Sequence, residues 1–296
     1  MSSVLDQLIG MLEKLPADRL AQLKGEVDKA PLEKWIPNPG PQTDAYNCKA
    51  DQVLYGGSAG GGKSQILLGK ALQRHKRSLI LRRMNVEVDG LVDDCEKIVG
   101  HRDGYKGQNH RWYFPDGRLI QFGGCQHSGD EKKYKGQAKD FIGVDEATEF
   151  LESQILYVIN WLRSADPSQL VQLMLATNPP STAEGEWVNR WFAPWVDPAH
   201  PMYGTVKPGE LLYFVADEGG QAGATSYRFF RTEDEVYSHY EMMANPPPRL
   251  SDGSWPKPQT RTFIRSELAD NPDYARTDYA SRLANMPAVL RDRVAP

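Results

Sequence analysis

Cysteine is scarce in this chain. Only three occur in 296 residues, Cys48, Cys95 and Cys125, far apart and never as a CxxC pair. That supports neither a disulfide framework nor a zinc site and fits a reducing, cytoplasmic setting. No run of about eighteen apolar residues occurs, and the N-terminal MSSVLDQLIGMLEKLPADRL carries acids inside its apolar stretch, so neither membrane insertion nor export is expected. An excess of positive charge is also missing. With a formal net charge of −4 and a pI near 5.9, binding of nucleic acid by bulk electrostatics is not supported, and any such contact has to be local or shared between subunits. There are no internal repeats. What is present, 40% hydrophobic and 25% charged residues, describes an ordinary globular chain with room for one sizeable core and a subdomain.

Residues 1–30 read as an N-terminal helical appendage, because Leu5, Leu8, Met11, Leu12 and Leu15 keep helical spacing and Pro16 can open a second helix. The proline-rich 31-PLEKWIPNPGPQTDAY-46 leads into the core as an extended segment. Then QVLY (52–55) and SLILR (78–82) read as buried strands around the helical SQILLGKALQRH, a βαβ unit. DFIGV (140–144) and LVQLMLAT (170–177) are further strands, separated by the helical 149-EFLESQILYVINWLR-163. Two hairpins are expected, HRWYF-PDG-RLIQF at 110–122 and LLYFVADEGG…TSYRFFRT after about residue 205. The pattern predicts an α/β fold, a mainly parallel sheet flanked by helices. Its core covers 31–205, and 206–296 forms a hairpin and a C-terminal lid or linker subdomain.

The chemistry concentrates in 54-LYGGSAGGGKSQILLGK-70. From Gly57 through Ser58, Ala59, Gly60, Gly61, Gly62 and Lys63 to Ser64, the run fits the Walker A pattern G-x-x-x-x-G-K-[ST], with the strand before it and the helix after it that the motif requires. Phosphate oxygens are cradled there by backbone N–H groups and a helix N-terminus, so side chains would stand in the way. Gln65 opens the helix beside them. Lys63 would reach the outer phosphates of ATP, and Ser64 would hold Mg²⁺. The stretch 140-DFIGVDEATEF-150 reads as a Walker B strand, with Asp145 beside the Mg²⁺ and Glu146 placed to orient and deprotonate water. The same two acids could also cap and begin the helix that follows, and both readings can hold together. Asn178, after Thr177 in 175-LATNPP-180, would emerge at the ligand edge of the sheet, within reach of the γ-phosphate or its water; a capped turn before two prolines is the other reading. No N-K-x-D guanine motif is present. Another P-loop motor acting on nucleic acid, helicase-like or partition-type, stays open on these residues.

Taken in order, Pro41-Gln42, LYGGSAGGGKS, LILRR, KYKGQAKDFIGVDEATEF, LATNPP and 262-TFIRSELADNPDYARTDYASRL-283 resemble the large terminase subunit, the DNA-packaging ATPase of tailed bacteriophages and prophages. The resemblance implies a P-loop NTPase of the additional-strand, catalytic-glutamate type with a small lid subdomain. It implies that Gln42 contacts adenine, that Lys63, Ser64, Asp145 and Glu146 bind and hydrolyse ATP-Mg²⁺, and that Thr177-Asn178 couples hydrolysis to movement. It also implies an arginine at the site. Arg82 and Arg83 are the candidates within the chain, while Lys132, Lys133 and Lys135 stand where some relatives place an arginine that serves a neighbour; a lysine lacks the guanidinium fork. The implied partners are double-stranded DNA, a portal protein and the small terminase subunit. The implied assembly is a homo-oligomeric ring at the procapsid portal in the host cytoplasm. The family also carries an RNase H-like nuclease, which would begin about where 286-MPAVLRDRVAP-296 ends the chain. The expectation is therefore the ATPase part alone, without DNA cleavage, and Asp217-Glu218 reads as a hairpin turn.

Outside the motifs, His75 in 74-RHKR-77 reads as an exposed helix end and His127 as a solvated loop residue. Acids in 232-TEDE-235 read as a helix start, and Trp187, Trp191 and Trp195 as one buried helix face.

Overall fold

The computed structural model describes residues 15–16, 18–20, 35–216, 225–272, 277, 282 and 285. The two helices expected within 1–30, Asp217-Glu218 and the final helical segment lie almost wholly outside those residues. The chain divides into Met1–Trp35 and Ile36–Pro296, and the second unit carries the motifs.

Its sheet is built on apolar runs buried on both faces, as parallel strands covered by helices require. These are β1 (Gln52–Gly57), β2 (Arg77–Arg82), β6 (Phe141–Asp145) and β7 (Gln172–Thr177). The remaining strands are β3 (Tyr105–Lys106), β4 (Arg111–Tyr113), β5 (Leu119–Gly124), β8 (Leu212–Ala216), β9 (Tyr227–Phe230) and β10 (Gln259–Ser266). Their order is β3-β4-β5-β2-β6-β7-β1-β10-β8-β9. The six strands from β5 to β10 in that order are parallel, and antiparallel hairpins extend both edges. One strand, β7, separates β1 from β6. This is the additional-strand P-loop arrangement.

Register places the chemistry. Gly57 lies opposite Ser266, Gly56 opposite Thr177, and Asp145 opposite Ala176, so the C-terminal ends of four neighbouring strands gather at one edge. β10 belongs to the stretch assigned at sequence level to the 206–296 subdomain, yet it runs parallel to β1 along its length. The sheet thus continues past residue 205; a partner two hundred residues upstream leaves no local signal for such a strand.

On one face, helix α2 (Lys63–Gln73) buries Ile66, Leu67, Leu68 and Ala71 against β6 and β7. On the other, Phe150, Ile155, Trp187, Trp191, Phe192 and Trp195 join Leu54, Leu81, Val144 and Leu175 in one core. The three tryptophans are buried together as their spacing predicts. Their helix breaks, however, into α5 (Trp187–Trp191) and α6 (Ala193–Val196), where Pro194 fits the first turn of a new helix. The helical run expected over 149–163 shortens to α4 (Glu152–Ile159), preceded by a 3-10 turn at Ala147–Glu149. Helix α7 (Glu233–Met242) begins at Thr232, whose hydroxyl accepts from the Glu235 backbone in a capping box. The short α1 (Pro41–Asn47) and the longer α3 (Val88–Val99) complete the helices used below.

Two buried basic side chains, one neutral and one charged, lie within polar runs of the sequence. His75 is not exposed: it is buried and stacks on Phe141 at 4.5 Å. Burial, helped by the charge of Lys70, pushes its pKa down to about 3. Arg261 on β10 is buried among Phe214, Tyr227 and Trp191, with its Cζ 3.7, 3.8 and 4.7 Å from their ring centres, and its Nε donates to Gln52 Oε1 at 2.8 Å. It ties the β8–β9 hairpin to the parallel sheet.

Candidate active site

The loop leaving β1 turns through backbone conformations that only glycine adopts freely. Gly62, with φ +72°, caps α2, and a Cβ there would fall on the Gln42 amide. Ser58 to Gly62 form the loop, Lys63 and Ser64 begin the helix, and Gln65 sits half-buried in its first turn. Lys63 Nζ donates to the Ser58 carbonyl at 2.5 Å. Burial pushes the Lys63 pKa down to about 8, against the opposing pull of the Asp145 and Glu146 carboxylates.

At the end of β6, Asp145 is buried and accepts from the Ser64 hydroxyl at 2.8 Å. Burial pushes its carboxyl up to about 6, although Arg82 and the Ser64 hydrogen bond pull the other way. Glu146 follows with φ +53°, a left-handed conformation that costs a non-glycine residue about 1 kcal/mol or more. Its side chain is half-exposed beside the buried aspartate.

Of the two arginines after β2, the structure brings one to these acids. Arg82 pairs with Glu146, lies 3.6 Å from Asp145 Oδ2 through Nη1, and lies 3.6 Å from Glu87 Oε2 through Nε. Burial opposes its charge, but Asp145 and Glu146 outweigh that and raise its pKa. Arg83 turns elsewhere and donates to Gln154, which is itself held by the carbonyls of Cys125 and His127. Lys132, Lys133 and Lys135 are exposed on the loop before β6. Glu87, in the turn after β2, had no motif to single it out.

Thr177 ends β7 and Asn178 follows it. The Thr177 hydroxyl meets Thr148 Oγ1 at 2.8 Å and donates to the Asn178 carbonyl at 2.9 Å, which joins the segment after Glu146 to the neighbouring strand end. Asn178 is half-buried and also lines a cavity of about 330 Å³ with Gly57, Trp195, Phe263 and Arg265. Neither Lys63 nor Ser64 lines that cavity, so it is separate from the Ser64–Asp145 pair. Gln42 is buried on α1, where its Nε2 donates to the Gly62 carbonyl at 3.2 Å and its Oε1 accepts from the Asn38 backbone at 2.6 Å.

The donor set suits the phosphates of a nucleotide and Mg²⁺. Ser64 and Asp145 offer adjacent hard oxygens, the pair that Mg²⁺ takes alongside water and substrate phosphates. Side chains are excluded from the loop at Gly57 and Gly61, where a Cβ would collide with Ser266. The strand, glycine loop, helix and carboxylate two strands away define a P-loop NTPase.

No family model and no curated protein matches the chain. Among solved structures it is similar to the large terminase of the thermophilic bacteriophage D6E, with 8% identity and a TM-score of 0.49 over 88% of this chain and 53% of that one. It is also similar to the large terminase ATPase domain of Thermus phage P74-26, with 11% identity and a TM-score of 0.47 over 95% of this chain and 97% of that one. A third is the HK97 bacteriophage large terminase, with 11% identity and a TM-score of 0.34 over 50% and 33%. The chain thus spans about half the length of the D6E protein.

Proposed function

We propose that this chain hydrolyses ATP with Mg²⁺ and uses the energy to move double-stranded DNA, as the ATPase part of a phage terminase large subunit. In this reading it works as a homo-oligomeric ring on a portal protein, together with a small terminase subunit, in the host cytoplasm. The observation that carries the enzymatic part is the Ser64–Asp145 contact at 2.8 Å with a second carboxylate, Glu146, on the next residue. The packaging part rests on the order of sequence motifs from Gln42 to the segment 262–283.

Each residue then has a separate task. Ser64 and Asp145 would hold Mg²⁺, which when bound would supply positive charge against the charge developing on the phosphates, and burial of Asp145 keeps that carboxylate fixed in orientation. Lys63 lies beside the loop carbonyl of Ser58 and supplies positive charge to the outer phosphates. Glu146 accepts the proton of the attacking water. Arg82, in contact with both Asp145 and Glu146, brings a guanidinium to the place where transition-state charge grows. Thr177, through Thr148, links the Glu146 segment to the end of β7, just before Asn178.

Steady-state ATP turnover with and without portal-bound DNA tests this reading. Turnover that rises when portal and double-stranded DNA are present together is expected. Stimulation by free nucleic acid alone, with no effect of portal, would make the chain another kind of nucleic-acid motor. No turnover under any condition would remove the enzymatic part.

A further inference from the structure

Three successive carbonyls of the glycine loop are each held by a side chain from a different part of the sequence. Asn271 Nδ2 donates to Gly60 O at 2.6 Å, Ser266 Oγ and Tyr55 OH each lie 2.9 Å from Gly61 O, and Gln42 Nε2 donates to Gly62 O at 3.2 Å. Asn271 and Gln42 are 2% and 4% exposed, so both amides are committed inward. They are also joined to each other. Asn38 donates from Nδ2 to Asn271 Oδ1 at 3.3 Å and from its backbone N–H to Gln42 Oε1 at 2.6 Å. The turn after β10 adds one more tether, as Leu268 N–H donates to Ser58 Oγ at 2.9 Å.

A trans peptide is planar, with C=O and N–H pointing in opposite directions. Fixing the carbonyls of Gly60, Gly61 and Gly62 on one side therefore fixes the N–H groups of Gly61, Gly62 and Lys63 on the other. Three aligned N–H groups are what a phosphate oxygen needs, and glycines would lose them first, since their backbone is the most mobile when free. The amide of Gln42 is already satisfied at both ends, by a donor on Oε1 and an acceptor for Nε2. Turning it toward a base would leave the Gly62 carbonyl and the half-buried Asn38 N–H without these partners.

We propose that Gln42 and Asn271, bridged by Asn38, are positioning residues that preform the phosphate cradle, and that Gln42 does not read adenine. The triphosphate, and not the base, is what this network selects. The inference rests on the reading of residues 57–64 as a phosphate site.

The test is competitive binding of ATP, GTP, ADP and inorganic tripolyphosphate to the full chain and to Gln42→Ala and Asn271→Ala. One lost neutral hydrogen bond to the loop should raise the Kd for all four by roughly three- to tenfold, leaving the ATP-to-GTP ratio of each variant equal to the parent's. If Asn271→Ala does not fold, Asn38→Ala, which loosens Asn271 without touching the loop, should give a smaller shift in the same direction. A Gln42→Ala variant that binds tripolyphosphate like the parent but loses its preference for ATP over GTP would overturn the proposal and make Gln42 a base reader. Parent-like affinities for all four ligands in both variants would overturn the network alone. A parent chain that binds neither ATP nor tripolyphosphate would remove the phosphate site beneath it.

Discussion

Replacing Arg82 with alanine removes a guanidinium that touches Asp145, Glu146 and Glu87 together. Asp145 feels this most, because it is 2% exposed and already raised to about 6 with the arginine in place. An opposite charge within about 4–6 Å lowers a carboxyl pKa by about 1–3 units. The Arg82 side chain is 22% exposed, so solvent screening puts the effect in the lower part of that range. Losing it should lift Asp145 further, by about one to two units. Asp145 has to be ionised to serve the metal, so kcat/KM falls as pH drops through its pKa. Removal of the cation therefore moves this acid limb upward, by the same one to two units. If Arg82 also faces the transferring phosphoryl group, kcat drops by about 10³-fold as well. Arg83→Ala, which loses only the contact with Gln154, should stay within about threefold of the parent at all pH values. The assay is ATP turnover by the parent and both variants from pH 5 to 9. An Arg82→Ala enzyme with parental kcat and an unmoved acid limb, or a more damaging Arg83→Ala, would refute the assignment.

Other outcomes follow from the same geometry. Lys63→Ala should bind ATP about 10- to 100-fold more weakly, the equivalent of one charged hydrogen bond, as read by titration with a fluorescent ATP analogue; unchanged affinity would separate Lys63 from the phosphates. If Arg82 serves its own chain, turnover per chain should stay flat on dilution, whereas a steep rise with protein concentration would give the decisive cation to a neighbour. His75 has a folded pKa near 3 against an ordinary 6.5. The unfolded chain therefore takes up a proton that the folded one refuses, and stability present above pH 6.5 is lost as pH falls toward 3. Between pH 7 and 5 this amounts to about 2 kcal/mol. Urea unfolding of His75→Phe should lose about that much of the parent's pH dependence, and identical slopes would refute the buried-neutral reading.

Much of the site was legible in the sequence because its constraints are local. The loop from Gly57 to Ser64 needs small residues wherever a Cβ would meet Ser266 or Gln42, and such a run announces itself. Asp145 and Glu146 follow an apolar strand, and the strand's direction places them. What stayed hidden depends on contacts across the sheet. Arg82 and Arg83 are adjacent and alike in sequence, yet successive residues of an extended chain point to opposite sides, so one reaches Glu146 and the other Gln154. Glu87, Asn271 and Ser266 join the site only through the fold. β10 gave no sign of its place beside β1, since parallel pairing is set by partners far apart in the chain. His75 was masked by charged neighbours, and its burial comes from Phe141 on another strand. The 149–163 run kept helical spacing, but Glu146 in a left-handed conformation and a 3-10 turn postpone α4 to Glu152.

The most direct test of an ATPase built on adjacent acids separates binding from chemistry at Glu146. In Glu146→Gln the Ser64–Asp145 pair and the loop remain, while the proton acceptor is lost together with the charge that pairs with Arg82. Equilibrium binding of ATP-Mg²⁺ and single-turnover hydrolysis, measured on the same preparation, should show affinity within about threefold of the parent and a chemical step slowed by about 10²-fold or more. Hydrolysis within threefold of the parent would contradict the assignment of Glu146 and, with it, the account of how this site works.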